Sequence, residues 1–132
     1  MTPELKENYI KYRIENAQET IKEAELLFSG ALYKGAVNRI YYAIFYTVNA
    51  LALSDGFTTT KHSQLRGYFN REYVKTGKLD KKWGEIYGAA YDLRTRGDYD
   101  DNVHFQKEEV ENLLNGAKDF GLAVKSLIES KK

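Results

Sequence analysis

Ala36–Leu53 reads AVNRIYYAIFYTVNALAL and is the longest mostly apolar run in the chain. Val37, Ile40, Tyr41, Ile44, Phe45, Val48, Leu51 and Ala52 recur at steps of three and four, the spacing of one broad helix face. A stripe this wide must be covered on more than one side, so the rest of the chain has to supply packing partners. The run is too short and too polar (Asn38, Arg39, Asn49 and three tyrosines) to cross a bilayer, which needs roughly 20 predominantly apolar residues. The segment is therefore expected as the central helix of a soluble bundle. Its unusual part is Asn38-Arg39 beside Tyr41-Tyr42, where a purely structural helix would place leucine and alanine.

The single proline, Pro3, leaves the remaining chain free of that helix breaker, and an all-α fold is the expectation. The 132 residues fit one domain, large enough to bury a core without staples. Absence of cysteine excludes disulfides, thiolate zinc sites and cysteine nucleophiles. With 20 basic and 19 acidic residues the net charge is +1, so any anion binding must come from a local patch. The opening MTPELKENY lacks a basic region followed by an apolar core, so neither a secretory leader nor membrane attachment is expected, and the location expected is cytoplasmic. Eleven tyrosines are many; they suit bundle edges, and also a cleft or partner surface, because tyrosine joins contact area to a polar tip.

Thr2 and Pro3 suit a helix start, and Ile10, Ile14, Ala17, Ile21, Ala24 and Phe28 keep helical steps to a stop at Ser29-Gly30. The central helix should run from about 34 to 54, with Gly56 in the stop position. A weaker helix is expected over about 60–73 after three threonines, then a turn at Lys75–Lys78. Asp80 can cap a fourth helix carrying Trp83, Ile86, Ala90 and Leu93, with Gly84 and Gly88 inside it for close approach of another element. The stretch RTRGDYDDN, 94–102, should break the pattern. A last helix over about 105–129 has Val110, Leu113, Leu114, Ala117, Leu122, Val124, Leu127 and Ile128 on or near its inner face. Together these predict an antiparallel up-down four-helix bundle with an additional shorter helix.

Two regions carry chemistry beyond packing. One is Asn38–Tyr42; the other is Arg94–Asp101, with His104 just beyond. An arginine on an apolar helix needs a carboxylate, and the acidic cluster at 98–101 is a candidate partner for Arg39. Two outcomes are open: a structural Arg39–Asp98 pair, or a polar cleft. In the cleft, Arg39, Arg94 and Arg96 present guanidinium forks to phosphate, with tyrosines to stack on bases. His62 follows Lys61 at a helix start, where backbone amides favour anions, and His104 could move a proton near neutral pH. Two histidines are too few for a metal site alone, and no P-loop, G-x-S-x-G or HExxH motif is present. No cofactor is expected.

Taken together, Arg39–Phe45 (RIYYAIF), the Lys61-His62-Ser63 step and the R-x-x-x-D-Y arrangement of Arg94, Asp98 and Tyr99 resemble the HEPN domain family of prokaryotes, over about residues 8–128. The resemblance implies an up-down helical bundle that forms a homodimer and is associated with a minimal nucleotidyltransferase, often as a toxin–antitoxin pair. Many HEPN proteins are metal-independent ribonucleases that use an arginine followed at short spacing by histidine, in a cleft at the dimer interface. Here nine residues separate Arg94 from His104 and seven separate Arg96 from it, longer than that spacing. The reading that follows is a nucleotide-, RNA- or partner-binding module with Arg39, Tyr42, Lys61, His62, Arg94, Asp98 and Tyr99 around its cleft. Its rivals are a metal-independent endoribonuclease toxin using Arg94 or Arg96 with His104, and a purely structural interaction protein.

Overall fold

Thr2 Oγ1 accepts the N–H of Leu5 at 3.1 Å and Pro3 occupies the first turn, so α1 (Pro3–Ser29) begins where its capping chemistry dictates. The computed structural model describes residues 1–100 and 102–132. A three-residue turn follows in which Ala31, not Gly30, takes the left-handed conformation at φ 59°. Next come α2 (Tyr33–Ser54), α3 (His62–Phe69) continued by a π-helical turn (Asn70–Val74), α4 (Lys81–Tyr99) and α5 (Lys107–Glu129). No strand occurs among the described residues. The protein is an all-α, up-down bundle of four long helices with the shorter α3 added.

Helix α2 touches α1, α3, α4 and α5, which is why its apolar face had to be broad. Val37, Ile40, Tyr41, Ile44, Val48 and Leu51 are all at most 1% exposed. Burial of side chains this size is worth roughly 1.5–3 kcal/mol each. The rest of the core is rich in rings: Phe69, Tyr73, Tyr87 and Phe120 are fully buried and meet one another edge-on or tilted. Phe120 is a further core residue, absent from the expected inner face although it keeps the helical step between Ala117 and Val124. Leu122, expected on or near the inner face, is 69% exposed: Phe120 and Val124, one turn apart, hold the buried stripe, and a residue midway between them points to the opposite side.

The larger correction concerns 94–102. Arg94 through Tyr99 continue α4 rather than breaking it. Thr95 Oγ1 returns a hydrogen bond to the Tyr91 carbonyl at 2.8 Å. Gly97 is buried, and a Cβ there would meet the Phe105 ring at 3.4 Å, so this glycine serves packing rather than termination. Asp101, part of the expected acidic cluster, lies outside the described residues. Gly84 and Gly88 behave as expected of contact glycines: a Cβ would approach Asn70 Oδ1 at 3.0 Å and Arg66 Nη2 at 2.9 Å respectively.

Candidate functional site

The extra turn of α4 builds the site. Arg94 and Asp98 are one turn apart on one helix face, and Arg94 Nε lies 2.9 Å from Asp98 Oδ2. The contact falls off the N–H axis, so it is an ion pair more than an aligned hydrogen bond. From there the guanidinium extends over α2. Its carbon is 5.1 Å from the Tyr41 ring centre and 5.4 Å from that of Tyr42, and Nη2 donates to the Tyr42 hydroxyl at 3.3 Å. Two adjacent aromatics on α2, odd as core residues, are thus the platform for one arginine.

The start of α3 brings in His62. Its ring stacks on Phe45 at 4.3 Å and on Tyr41 at 5.6 Å, with Tyr42 edge-on at 5.8 Å. His62 Nδ1 and the Tyr41 hydroxyl are 2.7 Å apart. Burial, and secondarily the positive Arg94, hold His62 below the usual histidine pKa. Burial likewise pushes the Tyr41 hydroxyl well above the usual tyrosine range, with Arg94 opposing part of that shift. Both are neutral near pH 7, so the hydroxyl can donate to an unprotonated Nδ1 and leave the histidine N–H on Nε2. Tyr91, three residues before Arg94, closes the floor edge-on to Tyr41 at 5.9 Å, and Arg66 lies over it at 5.0 Å.

On the other side of Arg94 a cavity of about 370 Å³ opens, lined by Lys34, Asn38, Arg39, Arg94 and Asp98 with Leu27, Gly35, Val37 and Gly97. The structure therefore brings Arg39, Tyr42, His62, Arg94 and Asp98 to one region. It does not form the Arg39–Asp98 pair that the sequence allowed. Arg39 pairs instead with Glu23 of α1 at 3.6 Å and is about half exposed, while Asp98 is taken by Arg94 within its own helix. Arg39 is a cavity-wall residue, not a buried stitch.

Other candidates separate from this region. Arg96, turned away from Arg94 on the helix, lies over Phe105 at 5.4 Å and reaches Glu109 of α5 at 3.9 Å. Tyr99 is 87% exposed, and His104 is exposed in the link to α5. Lys61 is also exposed; its backbone N–H donates to Thr59 Oγ1 at 3.1 Å, ahead of the helix rather than within it. The arginine–histidine juxtaposition in this protein is Arg94 with His62, from different helices, not Arg94 or Arg96 with His104. Sequence reading missed Arg66 and Tyr91 as site residues, and it placed Tyr41 in a chemistry-bearing stretch without counting it among the cleft residues. The available signal was spacing: Arg66 lies one turn after His62, and Tyr91 nearly one turn before Arg94. Among the described residues no group of three or more histidine, aspartate or glutamate side chains converges as metal ligands would.

This pairing of a tyrosine-borne arginine on α4 with the R-x-Y-Y face of α2 spans nearly the whole bundle, and so does the family match. The HEPN domain model matches residues 10–127. The chain belongs to the HEPN domain family. It is 42% identical over 127 residues to a UPF0332 protein of Thermotoga maritima, covering 96% of each chain. Two Methanocaldococcus jannaschii proteins, each named "putative toxin", are 37% and 32% identical. The first alignment covers 89% of this chain and 80% of its relative, the second 91% and 89%. In this HEPN chain no helix among the described residues is long and apolar enough to cross a membrane.

Proposed function

We propose that this HEPN chain is a nucleotide- or RNA-binding module, the HEPN half of a toxin–antitoxin-like pair with a minimal nucleotidyltransferase, and that it works as a homodimer. The observation that carries the reading is Arg94. Its guanidinium is held at the mouth of a cavity by two tyrosine rings, one hydroxyl and a single carboxylate, with Lys34 and Arg39 on the same wall. A fork fixed in this way loses little freedom when it grips a phosphate, and the surrounding cations add local positive charge that the whole chain lacks. Toxin names among the relatives support the paired-module part of the reading.

The test is binding of a labelled single-stranded RNA, and of the partner, to wild type and Arg94→Ala. Loss of one charge-assisted contact is expected to weaken RNA binding about 10–100-fold with the fold intact by circular dichroism. Unchanged binding removes Arg94 from the site. Solution mass measurement tests the homodimer: a monomer at micromolar concentration overturns it.

A second reading, a metal-independent endoribonuclease, is favoured by one observation: a neutral imidazole, His62, sits beside Arg94. There Arg94 would stabilise charge on phosphate and His62 would move the proton. RNA cleavage in chelator that His62→Gln abolishes and His104→Ala leaves intact supports that chemistry; no cleavage by wild type rejects it.

A further inference from the structure

Arg66 is a half-buried cation with no counter-charge among the described residues. It lies on α3 one turn beyond His62, on the same helix face. Its guanidinium rests on Tyr91, which meets Tyr41 edge-on, and Tyr41 in turn carries Arg94. Two guanidinium groups thus occupy neighbouring rings of one aromatic floor. Of the two, only Arg94 has an acidic partner among the described residues. Among the described residues no carboxylate lies within ion-pair distance of Arg66. A ring face offsets part of the cost of removing a cation from water, but it leaves the N–H donors of the fork unanswered.

Helix α4 is shaped around this side chain. A Cβ at Gly88 would come within 2.9 Å of Arg66 Nη2, so a glycine in the helix interior is what lets the guanidinium lie against α4. The hydroxyl of the neighbouring Tyr87 is buried and has no hydrogen-bond partner among the described residues, and Arg66 is one of the charges acting on it. A seated, unpaired fork beside a second, paired one is the arrangement expected where an anion with two charged groups completes the set.

We propose that Arg66 and Arg94 together grip two linked phosphates, those of successive nucleotides in single-stranded RNA, over the Tyr41–Tyr91 floor. The proposal rests on the nucleotide- or RNA-binding reading above and deepens it from one phosphate to a pair. A nucleoside diphosphate shares that chemistry, so the test separates the two sources.

The experiment titrates fluorescein-labelled oligouridylate against wild type, Arg66→Ala, Gly88→Ala and Arg94→Ala, with UMP and UDP as competitors. Gly88→Ala places a methyl where the flexible end of Arg66 rests; alanine is the better helix former, so thermal stability should hold or rise while the fork is displaced. Arg66→Ala and Gly88→Ala should each weaken oligouridylate binding, the first by about 10–100-fold. Arg66→Ala should also lower the slope of log affinity against log salt by about 0.7, the loss of one single-strand phosphate contact. UDP competing no better than UMP supports the strand; UDP binding as tightly as the oligonucleotide overturns that choice. If Arg94→Ala weakens binding but Arg66→Ala and Gly88→Ala bind as wild type with an unchanged slope, the phosphate pair alone is overturned. If wild type binds none of the three probes, the reading on which the pair rests falls with it.

Discussion

Two tyrosine-centred clusters lie against different parts of α2, and they resolve their charges in opposite ways. Around Tyr73, in the π-helical turn, the hydroxyl donates to Asp55 and more weakly to the Leu51 carbonyl at 3.3 Å. Lys131, near the end of the chain, closes on the same carboxylate at 2.7 Å and on Ser54 Oγ at 2.8 Å. Burial alone would raise the Asp55 pKa, but hydrogen bonds from Lys131 and Tyr73 outweigh it and hold the carboxyl below its usual value. Around Tyr41 the ingredients are similar, rings and cations, yet the hydroxyl's partner is the neutral His62. Among the described residues Arg94 has one carboxylate partner and Arg66 has none. A cluster built on a carboxylate closes upon itself and ties helices together. A cluster built on an imidazole leaves positive charge over, and that surplus is what a ligand can use.

Tyr73→Ala should have the largest effect. Truncating a fully buried aromatic is expected to cost about 3–5 kcal/mol in urea melts, while the RNA affinity of the folded fraction stays that of wild type. Arg94→Ala should do the reverse, with the binding loss described above and a stability change of about 1 kcal/mol or less. Asp55→Asn, which removes the charge that Tyr73 and Lys131 share, should destabilise by about 1–3 kcal/mol and leave RNA binding untouched. Reduced RNA affinity in that variant would break the division between a closed cluster and an open one.

Acid should separate the clusters as well. His62 resists protonation in the folded protein, so the unfolded chain takes up its proton first, near pH 6.5. Stability from His62 is full above that value and is lost as pH falls through 6.5 toward the lower folded pKa. Asp55 has a lowered folded pKa too, and its contribution is present above the ordinary value of 3.8 and lost only as pH falls below it. Urea midpoints measured from pH 7.5 to 5 should therefore fall in wild type and fall less in His62→Gln, with Asp55→Asn following wild type. The smallest effect belongs to Lys131→Ala. Its ion pair is about one-third exposed, so about 0–1 kcal/mol is expected, read as a small shift in the melting midpoint.

The sequence by itself determined the helices and the identity of the central one. A wide stripe of branched and aromatic residues at steps of three and four, free of proline, can only be buried by surrounding it with other helices. It also marked Arg39, Tyr42, Lys61, His62, Arg94, Asp98 and Tyr99 as cleft candidates, with Arg39 singled out because an arginine on an apolar helix needs a partner. Which partner each one takes was decided only in three dimensions. Arg39 lost Asp98 because a carboxylate one turn away in its own helix is already beside Arg94, whereas Arg39 can swing to Glu23. The end of α4 could not be read from Gly97 and the aspartates, since local turn preference is weak against the burial of Gly97 under Phe105. Arg66 drew no notice as one more charge on a modest helix; only the approach of α4, with a glycine where a side chain would collide, turned it into a seated cation. Periodicity fixes which residues point inward, but the pairing of charges depends on distances between helices that no single helix encodes.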